Sequence, residues 1–453
     1  MQSSNQMLTG SLPKLMVKMA VPSVIAQMIN VLYSIVDRIY IGHIPMVSDA
    51  ALTGVGITFP IITFISAFAA FAGAGGAPLA SIYQGRGNRE KAEQVLGSCV
   101  LMLVFFAAML MLVFYLFLTP ILYLFGASET TEYYARSYIS VYLLGTLFTQ
   151  LSLGLNPYIT AQGNSKTAML TVLIGAVLNL VLDPILIFGF HMGVAGAAWA
   201  TVAAQAVSAL WVVLFLTGPR AVLRIRPSCL VPNLPMIGRI ASLGISPFTM
   251  QSTSSLVGVV MNAGMQHYGG DLYVASLTVF NSLTELIRAP LNGFTQGVQP
   301  IISCNFGASQ FSRARRTALN MIAVCTGFSF VLTACFMIFP EQICAVFTGS
   351  PALIALCAKK APVYLAGMLL FGIQRGIQPT FMALGQAIIS IFIALLRKII
   401  LLIPLALILP VFWGVNGIYW AESISDVLSS LTAMLLYLLN IKKILTPEAL
   451  GRI

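Results

Sequence analysis

The sequence predicts an all-α polytopic membrane protein of twelve transmembrane helices, arranged as two pseudo-twofold-related six-helix lobes. Composition is the first reason: of 453 residues 58% are hydrophobic and 8% charged, with mean hydropathy +0.92, whereas an ordinary soluble domain carries roughly 25% charged residues. Apolar stretches such as 100–118, 169–190, 318–339 and 399–413 span or nearly span a bilayer core, which needs about 20 apolar residues. They run without period-2 alternation, which selects helices over a closed barrel. The third reason is an internal repeat. Pro78, Gly85, Pro157 and Gly163 recur 222 positions later as Pro300, Gly307, Pro379 and Gly385, and Val194, Gly196, Trp199 and Ala200 recur 221 later as Val415, Gly417, Trp420 and Ala421. A repeat of this length that fills the chain fixes the architecture before any single residue does.

Breaking the apolar runs at polar, Gly and Pro punctuation gives spans near 14–40, 52–81, 93–118, 133–154, 164–188 and 194–217, then 236–264, 273–303, 315–339, 358–379, 385–411 and 415–439. Six is even, so both halves enter the membrane from the same side and their symmetry axis runs along the membrane normal. The first lobe is 1–217, the second 236–453, and 218–235, with Pro219, Pro227, Pro232 and Pro235 among its bases, is the linker.

Orientation follows from Lys and Arg. The connectors after the second, fourth, sixth, eighth and twelfth spans hold Arg86, Arg89 and Lys91; Lys166; Arg220, Arg224, Arg226 and Arg239; Arg313, Arg315 and Arg316; and Lys442, Lys443 and Arg452. All lie on one side with Lys14 and Lys18, while the other side has few bases beyond Arg136, Lys359 and Lys360. Both termini are expected in the cytoplasm. The formal net charge of +11 is explained the same way and implies no nucleic acid partner. Met1 to Gly10 is polar and uncharged, which predicts no cleaved leader.

A charge inside a span costs about 2.5–3.5 kcal/mol on insertion scales and is a functional candidate by default. Asp183 is the clearest, in an apolar run with no base to neutralise it. Asn179 stands four residues earlier on the same helix face, and Pro184 removes the N–H that would bind the Leu180 carbonyl. A carboxylate, an amide and a freed carbonyl together suit Na⁺, and the carboxylate alone suits a proton. Asp37, in the first span, is the second acid. The positions 222 after Asp37, Asn179 and Asp183 are Val259, Leu401 and Leu405, so a driving cation is expected in the N-terminal lobe. The C-terminal half instead mixes Glu285 and Arg288, Arg397 and Lys398, and Glu422 and Asp426. Acids beside bases in low dielectric are expected to neutralise one another, with Glu285 also a substrate candidate.

The remaining motifs are negative. Gly163 to Thr167 lacks the rest of a phosphate loop, and neither H-E-x-x-H nor G-x-S-x-G occurs. His43, His191 and His267 are expected in or beside outer connectors without clustering. The seven cysteines are scattered and form no C-x-x-C pair, so neither disulfides nor a structural metal site is expected.

The run 36–42 (VDRIYIG), the stretch 293–307 (GFTQGVQPIISCNFG) and the paired GLNP and GIQP elements at Gly154 and Gly376 resemble the MATE (multidrug and toxic compound extrusion) family. The QGVQP form is most similar to its MepA-like bacterial branch, related to the DinF group. The resemblance covers the whole chain. It implies a cation-coupled antiporter, driven by H⁺ or Na⁺, that exports amphipathic, cationic organic compounds by alternating access, without a cofactor or an enzymatic step. It also implies a monomer in the bacterial cytoplasmic membrane. Carried over residue by residue, the family's cation site matches Asp37, Asn179, Asp183 and Thr201, with Tyr138 and Asn156 as neighbouring cavity residues. The acid that the NorM-like branch carries in the seventh span is missing from 246–264. The alternative is a lipid-linked saccharide or lipid flippase of the same superfamily, which would want a more basic cavity and a lateral opening. A major facilitator fits the parallel halves, but the 85–91 connector lacks that family's pattern. An intramembrane enzyme lacks a nucleophile–base pair, and a receptor lacks a substantial soluble domain.

Overall fold

Apolar runs that must satisfy their own backbone in hydrocarbon become helices. The computed structural model describes residues 2–42, 44, 48–125, 127–347 and 349–451, and these contain helices and no strand; His43 and Arg452 lie outside the described residues. The spans of the first half are Leu12–Gly42, Ser48–Gly85, Arg89–Leu116, Glu129–Leu144 with Thr146–Ala161, Ser165–Pro184 with a π-turn at Ile185–Gly189, and Gly193–Thr217. Those of the second are Leu234–Gly269, Asp271–Gly307, Phe311–Ile338, Pro351–Leu365 with Met368–Ala383, Ala387–Trp413 interrupted by a π-turn at Leu396–Leu402, and Val415–Ile444. Eight of these helices are individually long and apolar enough to cross a membrane, and two bent pairs raise the number to ten. The seventh and eighth, at 36 and 37 residues, complete the twelve; they are long enough but are diluted by polar side chains.

The fourth and tenth spans, each predicted from the sequence as one helix, are broken pairs. They bend by 60° and 45° at breaks that fall at Gly145 and Gly367, which are 222 positions apart. A Cβ on Gly145 would lie 2.5 Å from Val202, and one on Gly367 would lie 2.6 Å from the Ser423 carbonyl and from Asp426. Each bend therefore seats a glycine directly on the next-but-one span, an approach that any side chain would block.

Side chains of both halves mix at the end of the bundle that carries the termini. One buried cluster joins Met7, Leu12, Leu15 and Met19 to Val298, Ile301 and Phe306, and another joins Ala72, Leu79 and Tyr83 to Met236, Ile240 and Leu243. A third, from Ile41 and Ile61 to Leu143 and Val194, belongs to the first half alone. The halves also meet backbone on backbone. A Cβ on Gly85 would stand 2.0 Å from the Cys304 carbonyl oxygen, and one on Gly307 would stand 2.0 Å from that of Ile82. Both pairs are related by the 222-residue repeat, so the second and eighth spans seal against each other through one self-complementary contact. Both termini reach this end: Arg313 donates to the carbonyls of Met7 and Gly10, and Arg86 to that of Leu450.

The segment between the halves is fastened to the first. Gln162 Oε1 accepts from Val222 N at 2.8 Å and Leu223 N at 3.0 Å. Glu93, 3% exposed, takes Arg89 and Arg226 at 2.9 Å each and also accepts from Arg224 N at 3.3 Å. Replacing Glu93 with Ala leaves Arg226 without that partner and the Arg224 amide unsatisfied, at about 1–3 kcal/mol. The expected result is a melting temperature lower by several degrees and faster tryptic cleavage after Arg224; unchanged cleavage would show that Glu93 does not hold the segment.

Candidate functional site

Two repeat-related places in the membrane gather polar side chains. In the first half the fifth and sixth spans lie side by side, and the i, i+4 spacing puts Asn179 next to Asp183. Asn179 Nδ2 donates to Asp183 Oδ1 at 3.3 Å and to Thr201 Oγ1 at 3.4 Å, and Thr201 in turn donates to the Ala197 carbonyl at 3.0 Å. Asp183 is 1% exposed and Asp37 7%, and Asp37 acts electrostatically on Asp183, Tyr33 and Tyr138. Asp183 Oδ2 has no hydrogen-bond partner among the described residues, and no base pairs with Asp183 there. Tyr138 is buried and stacks on Tyr142, with ring centroids 6.4 Å apart.

Asn179 and Thr201 also form the wall of a chamber of about 40 Å³, with Asn30, Tyr33, Asn156 and Gln205. That holds an ion or a few waters and falls far below the roughly 300–1,000 Å³ of drug-sized sites. Tyr33, Ser152 and Gln205 escaped the sequence reading because neutral polar residues stand out little in an apolar run. Rotating the Asn179 amide by a half-turn presents its oxygen, which accepts from a protonated carboxyl or binds a hard cation.

In the second half the eighth span presents Asn281, Glu285, Arg288, Asn292, Gln296 and Gln299 on one helical face, all at least partly exposed. Arg288, Arg397, Lys398, Glu285, Glu422 and Tyr364 line a cavity of about 280 Å³. Arg397, 3% exposed, binds Asp426 Oδ1 at 2.5 Å through Nε and Glu422 Oε1 at 3.0 Å through Nη2. Arg288 also reaches Glu422, at 3.4 Å.

Two pairings expected from the sequence are corrected. Arg288 turns to Glu422 and not to Glu285 three residues before it, because Coulomb attraction is stronger to the deeper carboxylate. Lys398 has no carboxylate partner among the described residues; its ammonium donates to the Met250 carbonyl and the Ser254 hydroxyl. Arg375 was overlooked, although a base inside the predicted tenth span was the signal. Its guanidinium sits 5.0 Å from the Phe371 ring centroid, with Arg397 at 4.9 Å and Arg288 at 5.6 Å.

Removing Arg397 leaves two buried acids facing each other, and breaking a buried pair costs about 3–5 kcal/mol. Arg397→Leu is expected to lower the melting temperature by many degrees, whereas Arg397→Leu with Glu422→Gln and Asp426→Asn recovers most of the loss. A triple variant as unstable as the single one would mean that Arg397 acts by packing.

The MatE family model matches residues 22–185 and 248–408, one segment in each half. The multidrug export protein MepA of Staphylococcus aureus (strain NCTC 8325 / PS 47) is 27% identical over 430 residues, 94% of this chain and 94% of that protein. The protein of the same name from Staphylococcus haemolyticus (strain JCSC1435) is 24% identical over 425 residues, 94% and 93% of the two chains. Among solved structures, an outward-facing multidrug resistance MATE family transporter of the MOP superfamily superposes with TM-score 0.89 at 22% identity, over 97% of this chain and 98% of that one. A MOP superfamily transporter from Pyrococcus furiosus Vc1 (DSM3638) gives TM-score 0.90 with the same identity and coverage. Twelve helices in a repeated order, the neighbours' fold and a family match in both halves make one statement: the chain belongs to the MatE family of MATE transporters and is MepA-like.

Proposed function

We propose that the chain is a secondary antiporter that exports amphipathic organic compounds by alternating access, driven by H⁺ or Na⁺ at Asp37, Asn179, Asp183 and Thr201. The observation that carries this is Asp183: a buried carboxyl without a basic partner among the described residues, bonded to Asn179 beside a chamber sized for an ion. A buried unpaired carboxylate is expensive, so it favours taking up a cation, and a cation held more tightly in one conformation shifts the balance between conformations. The buried acids of the second half, Glu422 and Asp426, are spoken for by Arg397 and Arg288, which supports coupling in the first. The two six-helix halves act as lobes that rock about the seal at Gly85 and Gly307. Residues 218–235 form the linker between them, carried with the first lobe.

The MepA relatives are multidrug exporters, and the cavity of about 280 Å³ in the second half supports a small organic substrate here. The Lys/Arg bias supports an orientation in the bacterial cytoplasmic membrane with both termini in the cytoplasm. The arrangement sealed at the terminus-bearing end is then the state open to the outside.

The test is efflux of a fluorescent organic dye from proteoliposomes under a pH gradient and, separately, a Na⁺ gradient. Efflux under one gradient names the ion. Absence of efflux under both would overturn the proposal and bring lipid flipping forward.

A further inference from the structure

The charges around the C-terminal cavity do not cancel, and the remainder has a pattern. Arg397 is committed to Asp426 and Glu422, and Arg288 shares Glu422. Those two acids and two bases neutralise one another. Lys398 is left with neutral partners, the Met250 carbonyl and the Ser254 hydroxyl, and Arg375 has no ion pair among the described residues. Three guanidiniums within 5.6 Å of one ring, that of Phe371, make the region short of negative charge, since like charges in low dielectric repel strongly. In the same cavity as Lys398, Glu285 is exposed and has neither hydrogen bond nor ion pair among the described residues.

The repeat sharpens the point. The positions 222 before Arg397, Lys398 and Glu285 are Gly175, Ala176 and Thr63, and those 221 before Glu422 and Asp426 are Thr201 and Gln205. The second half thus places charges where the first half has neutral residues. Arg397 and Lys398 ride on the π-turn Leu396–Leu402, and such turns recur at functional sites because they re-aim side chains at a cost to the helix.

We propose that this cavity is a receptor for amphipathic zwitterions: Lys398 takes the anionic group and Glu285 the cationic group, while Val257, Met261 and Leu277 of the wall take the apolar body. A lone cation at Glu285 leaves Lys398 repelling it within the same cavity, and a lone anion at Lys398 meets Glu285 in the same way. A zwitterion satisfies both groups and leaves the Arg397 network intact. The proposal deepens the export reading by naming a substrate class, yet binding requires no gradient and is measured apart from transport.

The probe is Nα-dansyl-lysine, whose carboxylate and ammonium are separated by a flexible alkyl chain. It is compared with its methyl ester, which keeps only the cation, and its Nε-acetyl derivative, which keeps only the anion. Binding to the full-length purified protein is read by dansyl fluorescence. The native protein is expected to prefer the zwitterion over each derivative by about tenfold, the worth of one well-placed charge contact. Lys398→Gln is expected to erase the preference over the ester and keep that over the acetyl compound, and Glu285→Gln the reverse. Unchanged melting temperatures exclude a folding defect. Equal affinities of the native protein for the three probes, no binding of the zwitterion, or equal loss of all three in both variants would overturn the proposal. Selectivity intact without gradient-driven efflux would overturn the export reading and leave this one standing; efflux without selectivity would do the opposite.

Discussion

Asp183→Asn is expected to reduce gradient-driven efflux to the level of empty liposomes, a loss of at least about tenfold, with no loss of stability. The amide has nearly the same shape and still hydrogen-bonds Asn179, which lies 3.3 Å from Asp183. What it lacks is the ability to bind and release a charge. A cation moves a two-state equilibrium only through a difference in its affinity for the two states, and an amide at this position supplies little of that difference. Asp183 is 1% exposed, and removing a buried charge relieves desolvation, so the melting temperature of the variant should match or exceed the native value. Thr201→Val, which removes one hydroxyl from the cluster and leaves both acids, should lose only about threefold. Efflux by Asp183→Asn at the native rate would place coupling outside the N-terminal cluster.

Gly85→Val and Gly307→Val are expected to open the seal between the second and eighth spans. Even a single methyl would lie 2.0 Å from a carbonyl oxygen that belongs to the backbone of the facing helix, which no rotamer change relieves. Overpacking of this kind costs about 1–3 kcal/mol or more, enough to shift a two-state population roughly 5- to 150-fold. The chain carries its own reporter. Cys304 is fully buried, and its carbonyl is the atom that Gly85 faces. Its labelling by a membrane-permeant maleimide, resolved from the exposed Cys335 by peptide mass spectrometry, should accelerate at least about fivefold in either variant, with efflux reduced in parallel. The two substitutions touch one contact and should not add. Native labelling rates at Cys304 in both variants would mean that the helices accommodate the methyl groups without parting.

The seal shows how far the repeat could be read. Gly85 and Gly307 are visible in the sequence as partners 222 positions apart, yet nothing in the spacing says that each faces the other's helix. The N-terminal cluster was more legible. Asn179 and Asp183 are local neighbours at i, i+4, so helix geometry alone brings them together, and rarity of charge in hydrocarbon marks Asp183. The C-terminal network was less so. Glu285 and Arg288 satisfy the same kind of local rule, but Arg288 has the reach to choose, and it points to Glu422 on another span.

By itself the sequence determined the class of solvent the chain lives in, the duplication, the twelve helices and the places where charge is expensive, because these follow from composition, period and local backbone geometry. The tertiary structure decided the bends at Gly145 and Gly367, the contact across the seal, the commitment of Arg397 to two acids and the isolation of Lys398 and Glu285 in one cavity. These depend on which helices become neighbours and at what depth. Coulomb and packing energies change steeply over a few ångströms, and the spacing of residues along a chain carries no record of those distances.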